Sequence, residues 1–379
     1  MSPMSKIAQI SVSGIRYPSG SLHKTRWGAH EEACIVEIVD ADGHRGSSIA
    51  RCHAGRSAAA FREEIEALSH VVLGAQVDDV DGIRSVFERA LHIHLAQYVS
   101  IFAVSAIDVA LWDLLGVARG LPVRTLIDPA AEPVDRVPAY ASLPHVHSTA
   151  QAIDVAHETY AAGFETVKLH SSGSVQLDVE IVTALRAEFG ADAGMAFDAA
   201  RAFSRDQART LAVSLHELGF LWFEEPFGPF ADEDCAWLFD QVPIPIAGFE
   251  TAPGSPDSAR WAMERGIVQR LLVDCYWKAG ISGAKRVVDT AETLGQKLLV
   301  HHGASTAMNL ANMQLAAVRP SLGPIELLAP FGEYDVAAYL PELAPGKGII
   351  LPTEPGLGLR WDEDFVAAHR VGDVRTIRG

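Results

Sequence analysis

Two hydrophobic patterns divide the chain at about residue 134. Beyond that point, short apolar runs alternate with stretches whose apolar positions recur at helical spacing. The eight runs are Val137–Ser142, Thr166–His170, Gly194–Ala199, Leu221–Glu225, Ile244–Glu250, Arg270–Cys275, Lys297–His302 and Pro324–Leu328. Runs that are apolar on both faces and separated by helices are typical of parallel strands covered on both sides. Eight such units predict a (β/α)8 barrel.

Strands and helices are mixed before residue 134. Ile7–Ile15 alternates loosely like a strand, and Ala33–Val39 and Gly46–Cys52 flank an Asp-Gly turn signal, which predicts a hairpin. Helical spacing covers Ala58–Leu73, Asp81–Ala96 and Ser105–Ala118. We therefore expect an α+β domain over residues 1–130, the barrel over residues 131–330, and a tail over residues 331–379 that returns to the first domain.

The most apolar segment, Tyr98–Gly116, is interrupted by Asp108 and Asp113. Two carboxylates inside a bilayer would be costly, so we expect a buried helix of a soluble protein rather than a membrane span. The N-terminus lacks the long apolar stretch of a secretion signal, and the four widely spaced cysteines form no CxxC pair. We therefore expect a cytoplasmic protein with reduced thiols, without a disulfide framework or a zinc ribbon.

Composition narrows the range of partners. Apolar residues make up 49% of the 379 residues, which is enough for a core and excludes disorder as the main state. The chain carries 48 acidic against 31 basic residues, which gives a formal net charge of -17. Because an acidic surface repels phosphates, we expect neither nucleic acid nor an anionic membrane as a partner.

Seven polar residues stand at the ends of the predicted strands, where a buried apolar run does not need them. They are Lys168, Asp198, Glu224, Glu250, Asp274, His301 and Glu326, and each lies one βα unit after the one before. The strand ends of a (β/α)8 barrel converge at one rim, where the active sites of this fold lie. The spacing therefore predicts that these side chains form one site.

Three adjacent acids, Asp198, Glu224 and Glu250, predict a metal site. Three carboxylates brought together without a cation would repel, and some would stay protonated. A divalent cation removes that conflict, and an all-oxygen set with room for water suits Mg²⁺ best, with Mn²⁺ as the second choice. The competing interpretation is that a strand-end carboxylate caps the following helix, which explains one acid more readily than three at this spacing.

Candidate proton-transfer groups follow the acids along the chain. Asp274 and His301 lie on the next two strands, and an Asp that holds a His ring fixes its tautomer and raises its pKa. His302 is the alternative to His301, although strand alternation turns it towards the helices if His301 faces the mouth. A hydrogen-bonded core histidine without a catalytic role is the other alternative.

Lys168 and His170 precede the acids and share a strand face, since they are two residues apart. Lys168 is expected to neutralise a carboxylate, or to act as a base if a bound cation depresses its pKa. His170 is a candidate base at near-neutral pH, and a structural role for one of the two stays open. Glu326 can hydrogen-bond a developing oxyanion only if it is protonated, a state that crowding with other carboxylates favours.

The whole set predicts proton abstraction next to a carboxylate. A metal ion and a cationic side chain bind the substrate carboxylate, and a base removes the neighbouring α-proton. The metal and Glu326 stabilise the resulting enediolate. A second acid on the opposite side then reprotonates carbon or protonates a leaving hydroxyl.

The ordered set resembles the enolase superfamily and, within it, the mandelate racemase subgroup. The matching segments run almost from end to end: Ser105–Gly116, Thr166–His170, Phe197–Asp198, Trp222–Pro226, Gly248–Glu250, Asp274, Lys278–Gly280, His301, Ile325–Glu326 and Pro355–Gly358. The resemblance implies a modified (β/α)8 barrel with an α+β capping domain built from the N-terminal and C-terminal segments. It also implies residue roles: Asp198, Glu224 and Glu250 as Mg²⁺ ligands, Asp274 and His301 as a catalytic dyad, Glu326 as a contact to the substrate carboxylate, and Lys168 as the first Lys of a K-x-K motif.

Two positions depart from the family pattern. His170 stands where the second Lys of K-x-K, often a base, is expected, and Ala200 replaces an Asn that often follows the first metal ligand. A His on each face of the substrate is compatible with two-base chemistry and therefore with racemisation. The same pair equally suits a dehydratase, in which His301 delivers a proton to the departing hydroxyl.

Relatives that share the Asp–His dyad mostly resemble acid-sugar dehydratases. We therefore expect a Mg²⁺-dependent lyase that dehydrates a sugar acid, a small-molecule carboxylate, to a 2-keto-3-deoxy acid. The alternatives are a racemase or epimerase of an α-hydroxy or α-amino acid and a non-catalytic, metal-stabilised binding protein. The resemblance also implies a homo-oligomer, and a capping loop of about Ser19–Glu32, including Trp27 or His30, that closes over the barrel mouth.

Overall fold

The structure, a computed structural model, describes residues 5–19, 29–52, 57–83, 99–201, 203–228, 231–250, 256–301, 306–329, 343–344 and 348–379. In chain order, the strands within these residues are β1 (Ile7–Pro18), β2 (His30–Asp40), β3 (Arg45–Arg51), β4 (Arg136–Val137), β5 (Ala139–Ser142), β6 (Thr166–His170), β7 (Gly194–Asp198), β8 (Phe223–Glu224), β9 (Ile246–Gly248), β10 (Arg270–Val273), β11 (Lys297–Val300), β12 (Ile325–Leu328), β13 (Leu343–Ala344), β14 (Gly348–Ile350) and β15 (Arg370–Arg378).

The α-helices are α1 (Ala58–Val72), α2 (Ile101–Arg119), α3 (Val123–Ile127), α4 (Thr149–Ala161), α5 (Val175–Phe189), α6 (Arg205–Glu217), α7 (Asp232–Gln241), α8 (Pro256–Glu264), α9 (Gly280–Leu294), α10 (Thr306–Ala316) and α11 (Glu363–His369), and a 3₁₀ turn covers Pro320–Leu322. Serine side chains begin several of them: Ser148 accepts a hydrogen bond from the first turn of α4, and Ser174 does so for α5. Most of the helix expected over Asp81–Ala96 lies outside the described residues.

The eight apolar runs form one parallel sheet. The strand order is β11-β10-β9-β8-β7-β6-β5-β12, and the end strands β11 and β12 lie in contact. The sheet therefore curls into a barrel, and the helices that link successive strands cover its outer face. The predicted (β/α)8 barrel is confirmed.

A separate antiparallel sheet caps the barrel, in the order β15-β1-β2-β3. The predicted hairpin corresponds to β2 and β3, and the C-terminal strand β15 pairs with β1, with Gln9 opposite Arg378. The N-terminal and C-terminal segments therefore build one capping unit, as expected. A third, three-stranded sheet joins β13, β14 and β4.

Helix α2 is a core helix that connects the cap and the barrel. By length and composition it could cross a membrane, but 72% of its most apolar window is buried inside the protein. Its two carboxylates are buried but have hydrogen-bond partners. Asp113 accepts hydrogen bonds from the backbone of Ser47 and Leu357, and Asp108 accepts one from the backbone of Ser282. These carboxylates attach α2 to the cap and to α9.

The barrel interior is filled by apolar side chains below a polar layer. The apolar cluster consists of Tyr140, Ala196, Trp222, Ala247, Leu272 and Leu299. Lys168, Glu224 and Glu326 lie in the same barrel and are also buried. Ionisable groups held this far from water must pair with one another, and this pairing shapes the site.

Candidate active site

The structure brings the eight predicted site residues together at the carboxyl-terminal rim of the barrel. Lys168 and Glu326 lie within β6 and β12, and His170, Asp198 and Glu224 are the last residues of their strands. Glu250, Asp274 and His301 follow β9, β10 and β11 by one or two residues. The strand-end spacing therefore predicted a real spatial cluster, whose members divide into two groups.

The first group surrounds Lys168. Its Nζ lies 2.7 Å from Glu224 Oε1, 2.9 Å from Glu326 Oε1 and 3.9 Å from Asp198 Oδ2. Burial alone would lower the pKa of Lys168, but Glu224 and Glu326 raise it well above its usual value. These carboxylates therefore favour the charged ammonium form of Lys168, and a base role would require a bound cation to lower this pKa.

The protonation state of Glu326 also differs from expectation. Crowding with other carboxylates was expected to keep it protonated. Burial also favours that state, but Lys168 and His301 outweigh burial and hold the pKa of Glu326 below its usual range. The pKa of Glu224 moves in the opposite direction, because burial raises it to about 8 despite the contact with Lys168. Trp222 also donates a hydrogen bond to Glu224, at 2.9 Å.

The donor chemistry of Asp198, Glu224 and Glu250 fits a hard divalent cation. They supply carboxylate oxygens from three neighbouring strands, and the raised pKa of Glu224 marks a buried carboxylate that a cation would stabilise in its charged form. Their oxygens are not gathered around one point, since the only described set of three such ligand atoms within 4.8 Å is Asp40, Asp42 and His44. That other set lies in the β2–β3 turn, where Asp40 accepts hydrogen bonds from the backbone of Asp42 and His44.

Glu250 belongs to a second group, which forms a row of alternating charge. Its Oε1 lies 3.4 Å from His301 Nε2, and its Oε2 lies 3.6 Å from Arg201 Nη2. Asp274 Oδ2 lies 3.0 Å from His301 Nδ1 at one end of the row. At the other end of the row, Arg201 Nε lies 3.4 Å from Glu225 Oε2.

Asp274 fixes the orientation of His301. Its other oxygen accepts a hydrogen bond from the Tyr276 backbone at 2.7 Å, so the carboxylate itself is held in place. Because Asp274 accepts from Nδ1, the Nε2 atom of His301 faces Glu250. Burial opposes the charged imidazolium, but Glu250 and Asp274 raise the pKa of His301 to about 10. The alternative residue, His302, lies outside the described residues.

The tautomer of His170 follows from its backbone contact. Its Nδ1 lies 2.7 Å from the Leu143 carbonyl oxygen, which can only accept, so Nδ1 carries the proton. In the neutral ring Nε2 then has the lone pair, and it lies 3.5 Å from Asp198 Oδ2. Burial and the charge of Lys168 lower the pKa of His170 to about 4. His170 is therefore a neutral imidazole whose basic nitrogen faces the acids.

A second histidine packs against His170. The ring centroids of His145 and His170 are 5.0 Å apart, and His145 Nδ1 lies 3.2 Å from the Ser171 carbonyl oxygen. Each ring thus contacts the backbone of the segment that carries the other ring. His145 follows β5 without any spacing signal in the sequence, so sequence reasoning missed it.

Two cations at the mouth were also missed as functional residues. Arg201 follows the predicted ligand Asp198 by three residues. Lys278 donates hydrogen bonds to the backbone carbonyls of Phe249, at 2.8 Å, and Glu250, at 3.0 Å, and burial lowers its pKa to about 8. Lys278 falls within a segment that carries the family resemblance, which is the one signal that could have assigned it a role.

The predicted capping residues are only partly described. Trp27 and most of Ser19–Glu32 lie outside the described residues, and His30 is exposed at the start of β2. The described cap approaches the site through Tyr276, whose hydroxyl donates to the backbone carbonyl of Arg51 at the end of β3. Tyr276, whose backbone N–H donates a hydrogen bond to Asp274, is thus in contact with the cap.

Two family models match this chain. Residues 151–365 match the model described as enolase C-terminal domain-like, and residues 21–128 match the mandelate racemase / muconate lactonizing enzyme N-terminal domain. The first model alone covers more than half of the chain. All eight predicted site residues lie within residues 151–365.

Two curated relatives of similar sequence and one solved structure of similar fold carry names of enzymes of sugar acids or their lactones. D-Galactarolactone cycloisomerase of Agrobacterium fabrum is 27% identical over 323 residues, which are 82% of this chain and 84% of that protein. Arabinonate dehydratase of Saccharolobus solfataricus is 26% identical over 270 residues, 69% and 70% of the two chains. The solved structure of L-talarate dehydratase from Polaromonas sp. JS666, complexed with Mg and L-glucarate, has a TM-score of 0.84 over 99% of each chain at 22% identity, which shows a shared fold.

Proposed function

Since this chain belongs to the mandelate racemase/muconate lactonizing enzyme family of the enolase superfamily, we propose that it abstracts the α-proton of a carboxylate substrate with the help of Mg²⁺. The net reaction proposed is dehydration of an acid sugar to a 2-keto-3-deoxy acid. The names of the dehydratase and cycloisomerase relatives support a sugar-acid substrate.

Asp198, Glu224 and Glu250 would hold the metal. Mg²⁺ chemistry is general to the superfamily, and a bound Mg²⁺ acts as a Lewis acid towards the substrate carboxylate. Lys168 keeps Glu224 and Glu326 charge-balanced from within the barrel, at 2.7 and 2.9 Å. Its fixed positive charge also favours the negative charge that develops on the substrate.

The observation that carries the proposal is the placement of one imidazole at each end of the acid set. His170 Nε2 lies 3.5 Å from Asp198, and His301 Nε2 lies 3.4 Å from Glu250. Each ring is oriented through its Nδ1, by the Leu143 carbonyl and by Asp274 respectively. Both Nε2 atoms therefore face acids that we propose as metal ligands.

These orientations give the two rings different tasks. His170 Nε2 has the lone pair and takes the α-proton, and the electrons of the C2–H bond move into the carboxylate group to give an enediolate. When the enediolate collapses, those electrons form the C2=C3 double bond as the C3–O bond breaks. His301 Nε2 gives its proton to the departing hydroxyl, so water leaves. The enol that remains tautomerises to the 2-keto-3-deoxy acid.

A panel of acid sugars tests this function. With saturating Mg²⁺, the wild type should convert at least one of them to a product that reacts with a carbonyl reagent, and EDTA should abolish the conversion. His170→Asn and His301→Asn should each lose the activity, whereas His157→Asn, a matched control on exposed α4, should retain it. If no acid sugar gives a keto product, dehydration is the wrong reaction.

Racemisation or epimerisation is the second candidate, and the same pair of imidazoles supports it. A ring on each side of the α-carbon can remove a proton from one face and return one to the other. The two reactions differ in their products. Exchange of the α-proton with D₂O, inversion at that carbon and no keto product would favour the racemase.

A further inference from the structure

The three acids of the proposed metal site stand at the ends of β7 and β8 and just after β9. Glu225 connects the loops that follow these three strands. Its backbone oxygen accepts a hydrogen bond from the Arg201 backbone at 2.8 Å, and its backbone nitrogen donates to Ala247 at 3.0 Å. Its side-chain Oε1 accepts from the Glu250 backbone at 2.9 Å. Its Oε2 lies 3.4 Å from Arg201 Nε.

These contacts hold a strained stretch of backbone. Left-handed φ angles occur at Ala200 (47°), Arg201 (63°), Glu225 (40°) and Phe249 (70°). Residues with a Cβ atom adopt this region only when the surrounding structure holds them there. Each strained residue lies next to or within three residues of a predicted metal ligand, so the ligand positions depend on what keeps these loops in place.

The side-chain charge of Glu225 has a separate effect. Arg201 lies between two acids, with Nε 3.4 Å from Glu225 and Nη2 3.6 Å from Glu250. The Glu225 side chain is only 13% exposed and that of Arg201 27% exposed, so solvent screens this contact incompletely. If Glu225 lost its charge, Glu250 would become the nearest anion for the guanidinium, and Arg201 would then compete with a metal ion for Glu250.

We propose that Glu225 is a positioning residue for the metal site. It holds the backbone of Glu250 in place and keeps Arg201 from neutralising the Glu250 carboxylate. This inference rests on the proposed function, because it requires that Asp198, Glu224 and Glu250 bind a divalent cation. Nothing in the proposal requires Glu225 to touch the metal or the substrate.

Direct titration of the metal-free protein with Mn²⁺, followed by the electron paramagnetic resonance signal of free Mn²⁺, measures binding without activity. Glu225→Gln keeps a carbonyl acceptor for the Glu250 backbone but removes the charge, and it should weaken Mn²⁺ binding about 10-fold. Glu225→Ala removes both, and the loss should approach about 100-fold, the upper range for partners that orient a ligand. Glu217→Gln, at the exposed end of α6, makes the same charge change and should leave binding unchanged.

A second substitution separates positioning from a loss of folding. In the double variant Arg201→Gln/Glu225→Gln the competing cation is gone, so Mn²⁺ affinity should recover to within a few-fold of the wild type. Equal affinity of Glu225→Gln and the wild type would overturn the proposal. A double variant that binds no better than Glu225→Gln would overturn the part assigned to Arg201.

The same titration distinguishes failure of this proposal from failure of the metal site. If the wild type binds Mn²⁺ and Glu224→Gln does not, the site exists, and an unaffected Glu225→Gln then refutes only the positioning role. If Glu224→Gln binds as well as the wild type, the proposed metal site is itself wrong, and the positioning role is overturned with it.

Discussion

Replacing Lys168 with methionine tests the charge balance on which the site depends. The Nζ of Lys168 contacts Glu224 and Glu326 at 2.7 and 2.9 Å, and all three side chains are at most 2% exposed. Removing one partner of a buried ion pair destabilises a protein by about 3–5 kcal/mol, because the other charge stays buried without compensation. Methionine replaces most of the apolar stem, so little of the loss should come from packing. We therefore expect Lys168→Met to lower the free energy of unfolding by about 3–5 kcal/mol at neutral pH.

Urea unfolding followed by circular dichroism measures this change, first with EDTA present. Lys285→Met is the matched control, since Lys285 pairs with Asp289 on α9 with both side chains more than 30% exposed. An exposed pair of this kind contributes about 0.3–0.5 kcal/mol. The two lysine variants should therefore differ severalfold in their effect.

Added Mg²⁺ extends the test to the metal site. A ligand at about 100 times its Kd stabilises the state that binds it by roughly 2.7 kcal/mol. The same Mg²⁺ concentration should stabilise Lys168→Met more than the wild type, because the variant has lost a cation that competes for the same carboxylates. A loss of stability no larger than that of Lys285→Met would refute the charge balance derived from the structure.

Three further predictions concern the dyad, the core helix and the packing of the cap. Asp274→Asn should slow product formation by about 100-fold or more in steady-state assays, because the His301 ring loses the carboxylate that orients it and stabilises its charge; Mn²⁺ binding should not change. Burial raises the pKa of Asp113 in α2 to about 6, so in the folded state it holds its proton at pH values where the unfolded chain, with a pKa of about 3.9, has lost it. The free energy of unfolding of the wild type, relative to that of Asp113→Asn, should therefore fall by about 2–3 kcal/mol as the pH rises from about 4 to about 6. Urea unfolding at a series of pH values measures this change, and a difference between the two proteins that does not vary with pH would contradict it. Gly46→Ala would place a Cβ atom 2.1 Å from the backbone of α2 and should lower the melting temperature, whereas Gly228→Ala, which meets no atom within 4 Å, should not.

The sequence predicted the fold well because burial on both faces of a strand leaves a strong signal. Thr166–His170 has the same bounds in the sequence pattern and in the structure. The other barrel strands are shorter than predicted, and for two of them the C-terminal end has a local reason. The run Leu221–Glu225 yields only Phe223–Glu224, and Ile244–Glu250 yields only Ile246–Gly248, because Glu225 and Phe249 adopt left-handed φ angles that end a strand.

The candidate site was predictable in its membership and less so in its protonation. Spacing of one βα unit was enough to bring Lys168 and Glu326 together, although 158 positions separate them in the sequence numbering. The protonation of each group depends on distances that a sequence does not contain. For this reason the expectation that crowding keeps Glu326 protonated was wrong. Arg201 and His145 were missed because no periodic signal marks a loop residue.

The fate of the substrate α-proton reports directly on the proposed reaction. The wild type is incubated in D₂O with acid sugars and either Mg²⁺ or EDTA, and proton nuclear magnetic resonance records the α-proton and the product. With Mg²⁺ but not with EDTA, we expect loss of the α-proton and formation of a 2-keto-3-deoxy acid that carries deuterium at C3. Glu224→Gln should show neither change. Absence of Mg²⁺-dependent α-proton loss with every acid sugar, or the same loss in Glu224→Gln, would contradict the proposed reaction.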